Sequence, residues 1–126
     1  MGISQRNLEV LQVFNIRTPA TLSTNNDSTG VDLTAIDGDA LFILNAGTSS
    51  TGTINAKIQH ALTLNGTYDD VSGGGFAQLT AAASVQKVSI PREELRGFFR
   101  INFNGLASSY SAPVSCVAVG SARYQS

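Results

Sequence analysis

The side chains able to do chemistry are few and far apart. His60 is the only histidine and Cys116 the only cysteine. A Ser-His-Asp triad or a histidine-based metal cluster would therefore have to be built around one imidazole. His60 lies in the alternating run Ile54–Leu62, on the same side as Ile54, Ala56, Ile58 and Leu62. That placement predicts a structural histidine at the edge of a core. Cys116 falls within Val114–Val119, which reads as a buried strand. Thiol chemistry needs a base and an electropositive setting, whereas free cysteine is among the most buried residue types. One cysteine also excludes an intrachain disulfide.

The carboxylates offer little more. Asp69 and Asp70 are adjacent, so on a strand they point to opposite faces and make no acid/base pair. Asp37 and Asp39 flank Gly38, a turn setting in which Asp bonds the backbone; a calcium site there would need several more oxygen ligands. Ser72–Gly75 (SGGG) lacks the Lys-Ser/Thr and the helix of a phosphate loop. Arg92, Arg96 and Arg100 recur every four residues, but Gly97 stops any helix between them. Arg92 and Arg96 then flank a turn with Glu93 and Glu94 as partners, or serve an interface, where Arg is enriched. No catalytic, cofactor-binding or metal-binding set emerges, and the expectation is a protein that is not an enzyme and needs no cofactor.

Composition narrows the partners. The chain has 126 residues, a formal net charge of −1 and only 13% charged residues. That is one domain's worth of chain. It lacks the basic surplus with which nucleic-acid binders grip phosphate. No run of ~20 apolar residues is present to span a membrane. The N-terminus has neither an apolar signal-peptide segment nor the Ser/Thr that myristoylation wants where Arg6 stands. The expectations are no nucleic acid, no membrane, and synthesis in a cytosol-like compartment. A weakly charged, near-neutral surface associates easily, which favours a subunit of an assembly, a homo-oligomer of two or three copies.

The elements that would position these residues are strands. Val31–Ile36 alternates and leads into Asp37-Gly38, a two-residue hairpin signal. Ala40–Leu44 is continuously apolar, as for a strand buried on both faces or covered by another element. Ile54–Leu62 carries nine residues of period two. Further strands are expected at Tyr68–Val71, Phe76–Thr80, Val85–Ile90, Phe98–Asn104 and Val114–Val119, with Ser72–Gly75 a flexible turn and Pro91–Leu95 one turn of helix. The segment Thr18–Gly30 reads as a long polar loop. Before it, Leu8, Leu11, Val13, Phe14 and Ile16 follow neither strand nor helix period, and either form the first strand or belong to an arm. The predicted architecture is all-β: a two-sheet antiparallel sandwich, jelly-roll or Ig-like, at residues 31–126, with 1–30 as N-terminal segment or arm.

Three stretches carry a resemblance. VDLTAIDGDAL (Val31–Leu41), KIQHALTLNGTY (Lys57–Tyr68) and LRGFFR (Leu95–Arg100) resemble the shared pattern of small β-sandwich virion proteins of tailed bacteriophages. That pattern has a VDL-x-x-x-DGDAL strand, a KIQHS-type strand with a Gly-containing turn and an aromatic, and an LKRY-R segment opening a late strand. Phe98 stands here where the pattern has Tyr. The resemblance spans roughly residues 31 to 119. It implies a structural head decoration or cement protein on the capsid's outer surface, with the major capsid protein as partner, and it brings no catalytic residues. The interface anchors expected on that reading are Leu8, Leu11, Val13, Phe14 and Ile16, with Arg92 and Arg96. A tail or head-fibre domain, or a carbohydrate-binding sandwich using the loops Asn45–Gly52 and Ala107–Ala112, is the alternative.

Overall fold

A computed structural model describes residues 11–36, 38–91 and 97–121. Among the described residues there are strands and no helix. The strands run β1 (Leu11–Leu22), β2 (Asn26–Asp27), β3 (Val31–Asp32), β4 (Ala40–Ala46), β5 (Thr53–Ala61), β6 (Asp69–Gly75), β7 (Ser84–Ile90), β8 (Phe98–Ala107) and β9 (Ala112–Ser121). One sheet has the order β1-β9-β4-β7. The other has β2-β8-β5-β6, with β3 also on β8. Every pairing is antiparallel. Two antiparallel sheets packed face to face make the expected β-sandwich.

The core lies where period-two positions meet. Phe42 and Leu44 of β4 face Phe99, Ile101 and Phe103 of β8 and Ile54 and Ile58 of β5, and all are fully buried. The Phe42 and Phe99 rings lie 5.6 Å apart at a 40° tilt, joining the sheets. Such rings contribute beyond the area they bury.

Several local expectations gave way to tertiary pairing. Of the two readings of the N-terminal apolar residues, first strand or arm, the described part takes the first: Leu11–Leu22 runs along β9, from Leu11 opposite Ser121 to Leu22 opposite Ala112. The boundary drawn at residue 30 falls between β2 and β3, both of which pair with β8. Thr18–Leu22, expected as loop, belongs to β1 because β9 supplies its ladder. The register slips on either side of Arg17, and Pro19 falls at the second slip, where an edge strand tolerates proline. The hairpin expected at Asp37-Gly38, of which Asp37 lies outside the described residues, would have to join β3 to β4, and these belong to different sheets. β3 pairs with β8 in one sheet and β4 with β7 and β9 in the other, so the chain changes sheets there. Gly38, at φ 101°, supplies the left-handed backbone of that corner. A turn signal reports a reversal and cannot report which sheet follows it.

Ser72–Gly75 is part of β6 rather than a free turn. Asp70 pairs with Gln59 and Gly75 with Lys57, so the residues between them bulge over Ile58. Phe76–Thr80 forms only a single bridge, Leu79 to Ile54, instead of a strand. The one-turn helix expected over Pro91–Leu95 lies mostly outside the described residues.

Candidate functional site

Of the residues singled out for chemistry, His60 and Cys116 are buried, while Asp39, Asp69 and Asp70 are exposed. His60 is 3% exposed and meets the Phe99 ring edge-on at 5.6 Å. Cys116 is buried, and desolvation pushes its thiol up to about 12. It stays protonated and unreactive in the folded chain. Asp37 lies outside the described residues. Among the described residues no group of three His, Cys, Asp or Glu side chains could hold a metal ion.

The loops Asn45–Gly52 and Ala107–Ala112 do come together, but as a seal. The Ser49 hydroxyl accepts from the backbone amides of Ser111 (3.0 Å) and Thr51 (3.3 Å) and donates to the Thr51 carbonyl (2.6 Å). Gly52, at φ 89°, lies so close to the other loop that an added Cβ would sit 2.5 Å from both the Ala107 carbonyl and the Tyr110 amide. The buried Ser49 hydroxyl is spent on this closure.

The expected interface anchors divide. Leu8, Arg92 and Arg96 lie outside the described residues. Ile16 is 3% exposed and part of the core, so it cannot anchor a partner; it follows Phe14 by two residues and points to the same inner face. Phe14 packs partly against the core. Leu11 and Val13 are exposed, at 40% and 66%.

Leu11 and Val13 belong to a larger surface. Residues opposite one another in register share a face. On the outer face of the first sheet, one cross-strand row reads Val13–Val119–Leu41–Ser89 and the next reads Asn15–Val117–Ile43–Lys87. A third row holds Ser115, Asn45 and Val85, the last 70% exposed. Leu41, Ile43, Val117 and Val119 are half-buried. Lys87 is the single charge in these rows. The residues of β4, β7 and β9 were not anticipated as interface. The available signal was the run Ala40–Leu44, read as a strand covered on both faces; the outer cover is absent among the described residues.

The outer face of the second sheet is built differently. Asp70 accepts from Lys57 Nζ (3.0 Å) and Gln59 Nε2 (2.9 Å), and Gln59 Oε1 accepts from Arg100 Nε (2.9 Å). Those hydrogen bonds, Gln59's first and then Lys57's, hold the Asp70 carboxyl below its ordinary range. Arg100 continues to Asp27 at 3.5 Å and lies over the Tyr68 ring at 4.2 Å from its centre. Asn102 donates to Asp27, and Asn104 donates to Asn102 (2.8 Å). Arg100 thus covers one face of Tyr68, the only ring in this network, and that face is closed to a stacking sugar.

With this geometry in view, known folds can be compared. No protein-family model matches the chain, and no curated protein matches it in sequence. Among solved structures it is similar to the SPBc2 prophage-derived protein YomS (TM-score 0.54, 10% identity, covering 87% of this chain and 93% of that one). It is also similar to a chain of infectious bursal disease virus, Gx strain (TM-score 0.51, 15% identity, 86% and 32%). A third likeness is to the K1 cleaved adhesin domain of Lys-gingipain from Porphyromonas gingivalis W83 (TM-score 0.51, 9% identity, 88% and 83%). At these identities the likeness is one of fold.

Proposed function

We propose that the protein is a non-enzymatic structural subunit of a tailed-phage virion, a decoration or cement protein on the outer surface of the capsid. The observation that carries this reading is the aliphatic outer face of the first sheet, together with Leu11 and Val13 at its edge. A protein whose histidine and cysteine are buried and whose outer sheet face carries six aliphatic side chains is suited to work by contact. The fold shared with a prophage-derived protein and with a chain of a virus supports the viral setting, as does the sequence pattern over residues 31–119. The partner would be the major capsid protein. Each assembled unit would touch neighbouring capsid subunits and raise the cost of separating them.

The reading is tested by mixing purified protein with undecorated capsids, then measuring occupancy by co-sedimentation and capsid disassembly by heating. Saturable occupancy with a raised disassembly temperature is expected. Protein that stays in the supernatant at every concentration rejects the capsid partner.

A further inference from the structure

We infer that the outer face of the β1-β9-β4-β7 sheet is where two copies of this chain pair, face to face about a twofold axis running along the strands between β9 and β4. The inference rests on reading the protein as one that works by contact, but not on the capsid as its partner.

Charge selects the second copy and the axis. The three rows described carry one charge, Lys87 on β7, and no acidic side chain. A distinct partner chosen for charge would have only that one group to read, whereas a neutral aliphatic face complements itself. An axis along the strands places β1 opposite the partner's β7 and β9 opposite the partner's β4. Each row then meets its own reverse. Val117 and Val119 of one copy face the strand carrying Ile43 and Leu41 in the other, and Asn15 comes opposite Lys87. An amide oxygen can accept from an ammonium, so the charge stays partnered at the rim. An axis across the strands stacks β7 on β7 and brings both lysines to one strand pair, where like charges repel. Sheets packed this way lie ~10 Å apart with near-aligned strands.

Area sets the strength. Four strands at roughly 4.8 Å spacing, each with five to seven residues at roughly 3.4 Å, give a footprint on the order of 300–400 Å². Stable dimers bury about 800 Å² per partner. Even allowing for the relief of the side chains, the pairing belongs to the weak class and depends on concentration. High local concentration on an assembled shell would favour it. Pairing would also leave the polar face of each copy on opposite outsides of the dimer, so one dimer would present the same outer surface twice.

The experiment is sedimentation equilibrium of the full chain from micromolar to millimolar concentration. The average mass is expected to rise from 13.2 kDa toward twice that value. Val13→Glu and Val85→Glu alter side chains that are 66% and 70% exposed in the single copy, so folding is preserved and dimerisation should be lost. Asn15→Lys should weaken pairing roughly two- to fivefold, the range of an exposed charge contact. Asn15→Asp should strengthen it at low salt, and the swap Asn15→Lys with Lys87→Asp should recover it. A mass fixed at one chain throughout overturns the inference, as does a dimer indifferent to Val13→Glu or a charge swap that recovers nothing. Capsid binding by a strictly monomeric chain would retain the decoration reading while rejecting the pairing. A dimer that ignores capsids would do the reverse.

Discussion

The two outer faces of this sandwich solve the same problem in opposite ways. On the second sheet, polar side chains bind each other across strands: Lys57, Gln59, Asp70, Arg100 and Asp27 form one connected set, with Tyr68 under Arg100. On the first, Val13, Val117, Val119, Leu41, Ile43 and Val85 stand among Asn15, Asn45, Ser89, Ser115 and Lys87, with six aliphatic side chains where the second face has charged and amide groups. An antiparallel sheet with one face in water alternates apolar-in with polar-out. The second sheet obeys that rule and the first does not. The core beneath them is shared, so the difference is not one of folding. It separates a polar face bonded within itself from a largely aliphatic one.

The largest effect should come from comparing neighbours on β4. Phe42 points into the core, fully buried, and Ile43 points out. Phe42→Ala should destabilise by about 3–5 kcal/mol in denaturant titration, as aromatic truncations in a core do. Ile43→Ser should cost the single copy clearly less. Equal losses would mean that both faces of β4 are interior and that the contrast between the sheets is unreal.

Next comes the polar face. Gln59 is 9% exposed and bridges Asp70 to Arg100. Gln59→Ala removes both bonds and should destabilise by about 1–3 kcal/mol, the range for leaving hydrogen-bonding partners unmatched. A change within error would reduce this network to a solvated surface no more organised than chance.

Acid sharpens the same comparison more gently. Asp70 titrates below an ordinary aspartate because Gln59 and Lys57 bond its ionised form. With the folded value depressed, the stabilisation is present above the unfolded carboxyl's range and is lost as pH falls through the folded value. Asp70→Asn should flatten that part of the stability-versus-pH curve, while Val13→Ser should leave its shape unchanged. An identical acid limb in wild type and Asp70→Asn would show that this carboxylate contributes nothing.

The smallest stability change is expected on the open face itself. Val13→Ser and Val85→Ser should each shift unfolding by about 0.5 kcal/mol or less, since exposed side chains lose little on truncation. Both should lower binding of a hydrophobic dye. A large stability loss with unchanged dye binding would mean that these valines are covered in the isolated protein.

Much of this was legible in the chain, and the failures have physical causes. Ile54–Leu62 and Phe98–Asn104 alternate because each has one face in the core and one in water, and both were read in the right phase up to Leu62, which lies past the end of β5 at 74% exposed. Where alternation is absent, pattern alone misleads. Ala40–Leu44 looked doubly buried because Leu41 and Ile43 are as apolar as Phe42 and Leu44. Sequence cannot distinguish a strand covered by its own fold from one kept for a partner. Ile16 counts as an interface anchor on the arm reading; Leu11 and Val13 face out while Phe14 and Ile16 face in, so apolar residues on both faces of β1 hide its alternation. Asp37-Gly38 and Ser72–Gly75 were read from local turn chemistry. Their outcome, a change of sheet and a bulge over Ile58, was decided by long-range pairing.

The adjacency of β1 and β9 has a mechanical consequence. Leu11 opens the first strand and lies opposite Ser121, where the last strand ends. A force pulling those two points apart loads the ladder one rung at a time and peels β1 away from β9. A force transmitted through the flat faces loads many contacts at once. The sandwich is therefore soft when tugged at these strand ends and stiff when squeezed or sheared between its sheets.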